Sequence, residues 1–218
     1  MAGSDQALFN MLEQQLRPNE VLDETILVAM NSVLRADFCD ATTAALAYAD
    51  TFLPIGYDQY MLSPLLEGRM LQALAIRPQD TVLEIGTGSG YFTALLAQLA
   101  EHVVSVEIVP ELSLRAAERL RQYQLTNVEL QQGDAAQGWP LADRVDVIVL
   151  TGAVLAIADD YLQQLQVGGR LIAVTGREPA MTVQCITRVA EREWQTKPLF
   201  ETVIPYLLNA APAAEFEF

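Results

Sequence analysis

Short apolar runs alternate with amphipathic stretches between residues 81 and 175 of this 218-residue chain. The runs are mostly valine, isoleucine and leucine, as in buried strands, and the stretches between them have helical spacing. The pattern predicts strands over 81–85, 103–107, 127–132, 145–150 and 170–175, and helices over 91–100, 111–123 and 157–165. Strands that are apolar on both faces are typical of parallel sheets covered by helices. We therefore predict an α/β fold with a Rossmann-like, doubly wound, mostly parallel sheet.

The N-terminal part of the chain has a helical pattern. Apolar residues at helical spacing predict a first helix that Pro18 ends, and Asp23 is predicted to cap a second one. Pro64, in the favoured first position, begins a third helix that runs to Leu74. This part is predicted to be an N-terminal helical extension of the sheet domain.

The C-terminal part changes to strand patterns. Residues 181–190 and 194–207 predict an antiparallel pair that completes the sheet. We expect one domain in three regions, namely an N-terminal helical and acceptor-side region over 1–64, a Rossmann-like core over 65–207 and a tail over 208–218.

The first predicted strand leads into a turn with glycine at every second position, Gly86-Thr87-Gly88-Ser89-Gly90. Glycines let the backbone come close to a ligand, and the amides at the start of the following helix point towards it. Glu107, at the end of the next strand, is placed to accept hydrogen bonds from a ribose diol. Since a glycine-rich turn can also simply join a strand to a helix, the prediction of a nucleoside-cofactor site depends on this combination.

The details of the turn favour S-adenosylmethionine over a dinucleotide. The dinucleotide fingerprint is G-x-G-x-x-G, whereas this chain has G-x-G-x-G and Tyr91 in the place of the last glycine. Glu84, just before the turn, would repel a pyrophosphate and suit a cationic group. S-adenosylmethionine has an adenosine for Glu107, and an ammonium and a sulfonium in place of phosphates.

The composition of the chain limits the kinds of binding partner that we expect. A net charge of −15, from 13 basic and 28 acidic residues, disfavours nucleic-acid binding, which relies on a basic footprint. We see no apolar run long enough to span a bilayer and no signal-peptide pattern at the start, so we expect a cytoplasmic protein without membrane contact. Two distant cysteines and a single histidine, His102, predict reduced thiols and no metal site.

With these segments established, the chain resembles the protein-L-isoaspartate O-methyltransferases, a branch of the class I S-adenosylmethionine-dependent methyltransferases, from about Leu16 to Leu207. The glycine turn indicates only the superfamily, whereas the Leu-Pro-Ile-Gly segment and the order of the blocks are more specific to this family. The matching blocks are Val21-Leu22-Asp23-Glu24, Ala47-Tyr48-Ala49-Asp50, Leu53-Pro54-Ile55-Gly56, Val82 to Tyr91, Val104-Ser105-Val106-Glu107, Gly133-Asp134, Asp146 to Thr151 and Leu165 to Leu171.

The resemblance implies a methyl transfer from S-adenosylmethionine to a carboxylate of damaged aspartyl residues in proteins. It implies that the glycine turn lines the methionine end of the cofactor, that Glu107 holds the ribose and that Asp134 lies near the adenine amino group. The expected cofactor-binding residues are Glu84, Gly86, Thr87, Gly88, Ser89, Gly90, Glu107, Asp134, Ala135 and Thr151.

The acceptor-positioning segment departs from the family. The family has a Gln-Thr-Ile-Ser-Gln-Pro type segment whose hydroxyls face the methyl group and the isoaspartyl carboxylate. Here Tyr60 stands at the threonine position and Leu62 at the serine position, while Gln59 matches and Ser63 comes one place late. Ser63 is also interpreted as the N-cap of the third helix.

This departure leaves two alternatives to isoaspartyl methylation. One is a methyltransferase for a different, less polar or small acceptor. The other is a non-catalytic S-adenosylmethionine-binding sensor or interaction protein. At the C-terminus, Phe216 and Phe218 are expected to dock on their own domain or on a second copy, which leaves a homodimer open.

Overall fold

The computed structural model describes residues 2–212, with side chains from Asp5 onwards. The predicted docking of Phe216 and Phe218 lies outside the described residues. The helices are α1 (Ala2–Asn10), α2 (Glu24–Ser32), α3 (Pro64–Leu74), α4 (Tyr91–Leu99), α5 (Pro110–Gln122) and α6 (Asp159–Gln164). The strands are β1 (Leu53–Gly56), β2 (Gln59–Met61), β3 (Thr81–Ile85), β4 (His102–Glu107), β5 (Val128–Gln132), β6 (Val145–Leu150), β7 (Leu165–Arg177), β8 (Ala180–Ala190) and β9 (Glu193–Glu201).

Seven strands form the central sheet in the order β5-β4-β3-β6-β7-β8-β9. Neighbouring strands from β5 to β7 in this order are parallel. β8 is antiparallel to β7, and β9 is antiparallel to β8. The predicted α/β fold, with its mostly parallel sheet and its C-terminal antiparallel pair, is confirmed. The strand order reverses at β3, whose two neighbours are β4 and β6, and such a reversal opens a crevice at the carboxyl ends of the strands.

Each face of the sheet has its own apolar core. Val82, Val147 and Ile172 point to one face and pack with α2 to α5, whereas their neighbours Leu83 and Ile148 point to the other and pack beside Tyr161 of α6. This division follows from the alternation of side chains along a strand. Strands buried on both faces cannot tolerate polar side chains without partners, which explains the continuous apolar runs in the sequence.

Some boundaries differ from the prediction. β7 begins at Leu165 rather than at Arg170, because Leu165 already pairs with Val145 at the start of β6. A bulge follows, and the next pair in the register is Val147 with Arg170. The last predicted strand ends at Glu201, and the residues after it follow an extended path back to the sheet. Residues 53–61 form a short antiparallel hairpin, β1 with β2, that the sequence pattern did not predict.

The N-terminal helical extension is present as predicted. α1 continues through a π-helical segment, Met11–Leu16, and a 3-10 turn, Arg17–Asn19, that contains Pro18. The Asp23 carboxylate caps α2 by accepting hydrogen bonds from the amides of Thr25 at 2.8 Å and Ile26 at 3.4 Å. Within residues 2–212, no helix combines the length and the apolar character needed to cross a bilayer.

Removing this cap should destabilise the fold without touching the crevice. Asp23→Ala is expected to lower the free energy of unfolding by about 1 kcal/mol, because two amides at the start of α2 lose their acceptor. Urea unfolding followed by circular dichroism measures the difference. Asp143→Ala, at an exposed position in the loop before β6, is the matched control and should unfold like the wild type. Equal unfolding curves for both variants would show that the cap contributes nothing.

Candidate active site

The glycine turn joins β3 to α4 at the reversal point of the sheet. Its three glycines have positive φ angles, +99° at Gly86, +55° at Gly88 and +85° at Gly90, which other residues rarely adopt. The turn is fixed to β4, because the amide of Gly86 donates to the Val106 carbonyl at 2.8 Å. The sequence therefore needs glycine here for the path of the backbone itself.

Packing within the protein adds a second requirement at two of these glycines. A Cβ atom at Gly86 would lie 2.3 Å from Thr151 Oγ1, and one at Gly90 would lie 3.0 Å from the Cβ of Ala116 on α5. The Thr151 hydroxyl uses this space to reach the carbonyl oxygens of Ile85 and Gly86, at 2.9 and 2.6 Å. We had expected these glycines to leave space for a ligand. At Gly86 and Gly90 the space is instead filled by Thr151 and Ala116 of the protein itself.

A cavity of about 660 Å³ opens along the carboxyl ends of β3, β4 and β6. Its walls come from the glycine turn, the end of β4, the loop after β5, the β1–β2 hairpin and the chain after β9. The lining residues include Ile55, Gln59, Tyr60, Leu62, Gly86, Gly88, Glu107, Asp134, Ala135, Thr151, Tyr206 and Leu207.

Glu107 lies at the end of β4 with its carboxylate on this cavity. Only 5% of the residue is exposed. Each carboxylate oxygen accepts a hydrogen bond from one backbone amide, that of Gly88 at 2.7 Å and that of Val109 at 2.9 Å. A carboxylate offers about four acceptor sites, so both oxygens can accept a further hydrogen bond. The geometry fits a group that presents two adjacent hydroxyls.

Asp134 follows β5 and lines the same cavity, next to Gly133, whose amide donates to the Glu107 carbonyl at 3.0 Å. Its Oδ1 accepts the amide of Ala136 at 2.9 Å, and its Oδ2 accepts the side-chain amide of Asn209 at 2.8 Å. Ala135 is buried beside it, and its carbonyl accepts a hydrogen bond from the hydroxyl of Tyr161. Asp134 is therefore both a turn-forming residue and a wall of the cavity.

Glu84 is not where the sequence analysis expected it. Its side chain is fully buried, and among the described residues it lines neither of the two cavities along the turn. Glu84 Oε2 accepts the hydroxyls of Thr93 at 2.5 Å and Ser105 at 2.6 Å, and Oε1 has no hydrogen-bond partner. Burial raises the pKa of Glu84 to about 8, so the carboxyl is mostly protonated at neutral pH and does not present the expected negative charge.

A smaller cavity of about 290 Å³ adjoins the larger one and shares Gly86, Gly88 and Thr151 with it. Thr87 and Ser89 line it, but their hydroxyls are engaged, the first with Ser105 at 2.6 Å and the second with the amide of Tyr91 at 3.2 Å. The remaining lining residues are Tyr60, Met61, Leu62, Glu67, Gly86, Gly88, Phe92 and Thr151.

The acceptor-positioning segment is brought to both cavities by β2. Tyr60 and Leu62 line the larger and the smaller cavity, and Gln59 lines the larger one, with its amide on the carbonyls of Tyr57 and Asp58. Ser63 lines neither cavity within the described residues. It occupies the N-cap position of α3 but makes no side-chain capping bond.

The sequence analysis missed a strap that closes the larger cavity. After β9, residues 204–208 return to the sheet, where the amide of Ala153 donates to the Pro205 carbonyl at 2.8 Å and that of Leu207 donates back to Ala153 at 2.9 Å. Pro205, Tyr206, Leu207 and Leu208 line the cavity. The apolar sequence Val203 to Leu208 was the available signal, and it was assigned to the last strand instead.

The fold and the crevice are those of the class I S-adenosylmethionine-dependent methyltransferases. The sequence model of the protein-L-isoaspartate(D-aspartate) O-methyltransferases (PCMT) matches residues 5–206, and the chain belongs to this family. It is 42% identical over 177 residues to the protein-L-isoaspartate O-methyltransferase of Yersinia enterocolitica, covering 81% of this chain and 85% of that protein. The enzyme of the same name from Gloeobacter violaceus is 41% identical over 192 residues, 87% of this chain and 94% of the relative.

Solved structures agree at the level of the fold. A PCMT structure from Plasmodium falciparum, in complex with S-adenosyl-L-homocysteine, superposes with a TM-score of 0.79 at 17% identity, and 93% of this chain and 97% of that chain are covered. A further protein-L-isoaspartate O-methyltransferase structure has the same TM-score of 0.79 at 21% identity, over 94% of this chain and 65% of the other.

Glu84 should make the stability of this protein depend on pH. The folded protein keeps the Glu84 proton up to a pH of about 8, whereas an unfolded chain releases it near 4.5. Between these values the folded state binds more protons, so the free energy of unfolding falls as the pH rises. Glu84→Gln stays neutral, and its stability relative to the wild type should therefore increase from pH 5 to pH 8 in urea titrations.

The matched control is Glu101→Gln, which removes an exposed carboxylate just before β4. It separates the burial of Glu84 from the general effect of one charge fewer. A difference between Glu84→Gln and the wild type that stays constant over this pH range would mean that the buried carboxyl is ionised in the folded protein.

Proposed function

We propose that this chain binds S-adenosylmethionine along the glycine turn and catalyses methyl transfer to the carboxylate of isoaspartyl residues in proteins or peptides. The observation that carries the proposal is the Glu107 carboxylate, held by the Gly88 amide at 2.7 Å on a cavity that the turn itself lines. Membership of the PCMT family, with relatives above 40% identity, supports the same reaction. The acidic composition disfavours a nucleic acid as the methyl acceptor.

The larger cavity fits the nucleoside part of this cofactor. Glu107 would accept the ribose hydroxyls, since each of its oxygens has acceptor capacity left. Asp134, at the end of the neighbouring strand, would accept the adenine amino group beside the buried Ala135. The backbone of Gly86 and Gly88 would border the junction between the two cavities, where Thr151 also lies.

When bound, S-adenosylmethionine supplies an activated methyl group on its sulfonium. A carboxylate acceptor is already ionised at neutral pH, so no residue of this chain has to remove a proton from it. The protein's task is to hold the acceptor oxygen in line and to exclude water. Tyr60 and Leu62 from the hairpin and Leu207 from the strap provide apolar walls for this purpose.

The cofactor prediction is tested by calorimetry. S-adenosylmethionine and S-adenosylhomocysteine should bind, and NAD should not. Glu107→Ala should weaken S-adenosylhomocysteine binding by about 1.5–3 kcal/mol, or about 10- to 150-fold, because charge-assisted hydrogen bonds are lost. Glu129→Ala, exposed on β5, is the control and should bind like the wild type. Binding of NAD without binding of S-adenosylmethionine would refute the assignment, and an unchanged affinity in Glu107→Ala would place the ribose elsewhere.

The acceptor segment gives a second test of the proposed reaction. Tyr60→Thr with Leu62→Ser should raise kcat/KM for an isoaspartyl peptide from a low baseline, because each neutral hydrogen bond contributes about 0.5–1.5 kcal/mol and one to a carboxylate contributes more. Tyr60→Val with Leu62→Ala is the matched control, since it has nearly the same shape without hydroxyls. An equal gain in the control would mean that space, not hydrogen bonding, limits the wild type.

A further inference from the structure

Glu67 is the one carboxyl residue among the described residues that line the smaller cavity. It lies in the first turn of α3, 19 residues before Gly86, and lines the same cavity as the glycine turn. Only 1% of the residue is exposed. Such burial of an acidic side chain is costly unless partners compensate for it. The sequence analysis gave Glu67 no role.

The partner of Glu67 is Arg35, a fully buried residue from the 3-10 turn Arg35–Phe38. Arg35 Nη1 donates to Glu67 Oε2, and Nη2 donates to the carbonyl of Leu62 in the acceptor-positioning segment. The guanidinium also lies 5.0 Å from the centre of the Tyr91 ring. Glu67 is therefore held through Oε2.

A ligand in the smaller cavity can meet one carboxyl group of the described residues, that of Glu67. Burial raises the pKa of both Glu67 and Glu84. Glu67 differs because the Arg35 guanidinium is hydrogen-bonded to it and opposes the rise, whereas Glu84 has only hydroxyl partners. Glu84 uses one oxygen for two hydroxyls and lines neither cavity, which leaves Glu67 as the carboxylate that a ligand in the smaller cavity can meet.

We propose that Glu67 binds the α-ammonium group of the methionine portion of S-adenosylmethionine. The sequence analysis expected Glu84 to face this cationic group. This inference rests on the proposed function. Glu107 and Asp134 take the nucleoside in the larger cavity, so the amino-acid end extends past the turn to the smaller cavity, which shares Gly86, Gly88 and Thr151 with the larger one. Arg35 is then a positioning residue, because it fixes Glu67 and the Leu62 carbonyl together.

The test compares two ligands that differ in the amino-acid end. S-adenosylhomocysteine carries the ammonium group, whereas 5′-methylthioadenosine keeps the nucleoside and the sulfur and lacks the whole amino-acid portion. By calorimetry, Glu67→Gln should weaken S-adenosylhomocysteine binding by about 10- to 100-fold, the range for a hydrogen bond to a charged group, and leave methylthioadenosine binding within about twofold. Glu84→Gln is the matched control and should change neither affinity by more than about threefold.

Because Glu67→Gln leaves Arg35 buried without a counter-charge, it could unfold the protein. The double variant Arg35→Met with Glu67→Gln removes both charges and should show the same selective loss, with methylthioadenosine binding as proof of folding. A parallel loss for both ligands, or no loss for either, would overturn the proposal. An unchanged S-adenosylhomocysteine affinity with a raised KM for the isoaspartyl peptide would also overturn it, by placing Glu67 against the acceptor.

These outcomes remain separate from a failure of the proposed function. If the wild type binds neither ligand, the cofactor assignment itself is wrong. If it binds both ligands, and Glu84→Gln rather than Glu67→Gln loses the preference for S-adenosylhomocysteine, the cofactor assignment stands and Glu67 has a structural role only.

Discussion

The site depends on the positive φ angles of Gly86, Gly88 and Gly90. The glycine turn leads the chain from β3 into α4, and its amides are tied to the end of β4 through Val106 and Glu107. With the turn fixed there, Thr151 of the neighbouring strand end can place its hydroxyl against Gly86, and α5 can approach Gly90 through Ala116. Gly86 and Gly88 of this turn line both cavities.

Three glutamates near the turn show how the environment decides what a carboxyl group does. Glu107 keeps contact with the larger cavity and is satisfied by two amides. Glu84 is enclosed among hydroxyls, and desolvation holds its proton in place. Glu67 is paired with the Arg35 guanidinium and lines the smaller cavity. The same residue type thus acts as a hydrogen-bond acceptor, as a neutral core group and as one half of a buried ion pair.

Sequence patterns were sufficient for the sheet because the burial of strands and helices is periodic and local. Glu107 could be found for the same reason, since its place at the end of an apolar strand is visible in the chain. The role of Glu84 could not be read in this way, because its protonation depends on Thr93 and Ser105 rather than on the glycine turn. Glu67 was missed because its partner, Arg35, is 32 residues away and reaches it only in the folded chain.

The strap over the larger cavity links two parts of the sequence that must change together. A Cβ atom at Gly152 would lie 2.8 Å from a methyl carbon of Leu207 and 2.9 Å from its backbone nitrogen, so a smaller side chain at 207 would not relieve the contact. A descendant of this chain could gain a side chain at 152 only by rerouting the strap. It would then lose one wall of the cavity in the same step, so glycine at this position preserves the shape of the site although it contributes no side chain to it.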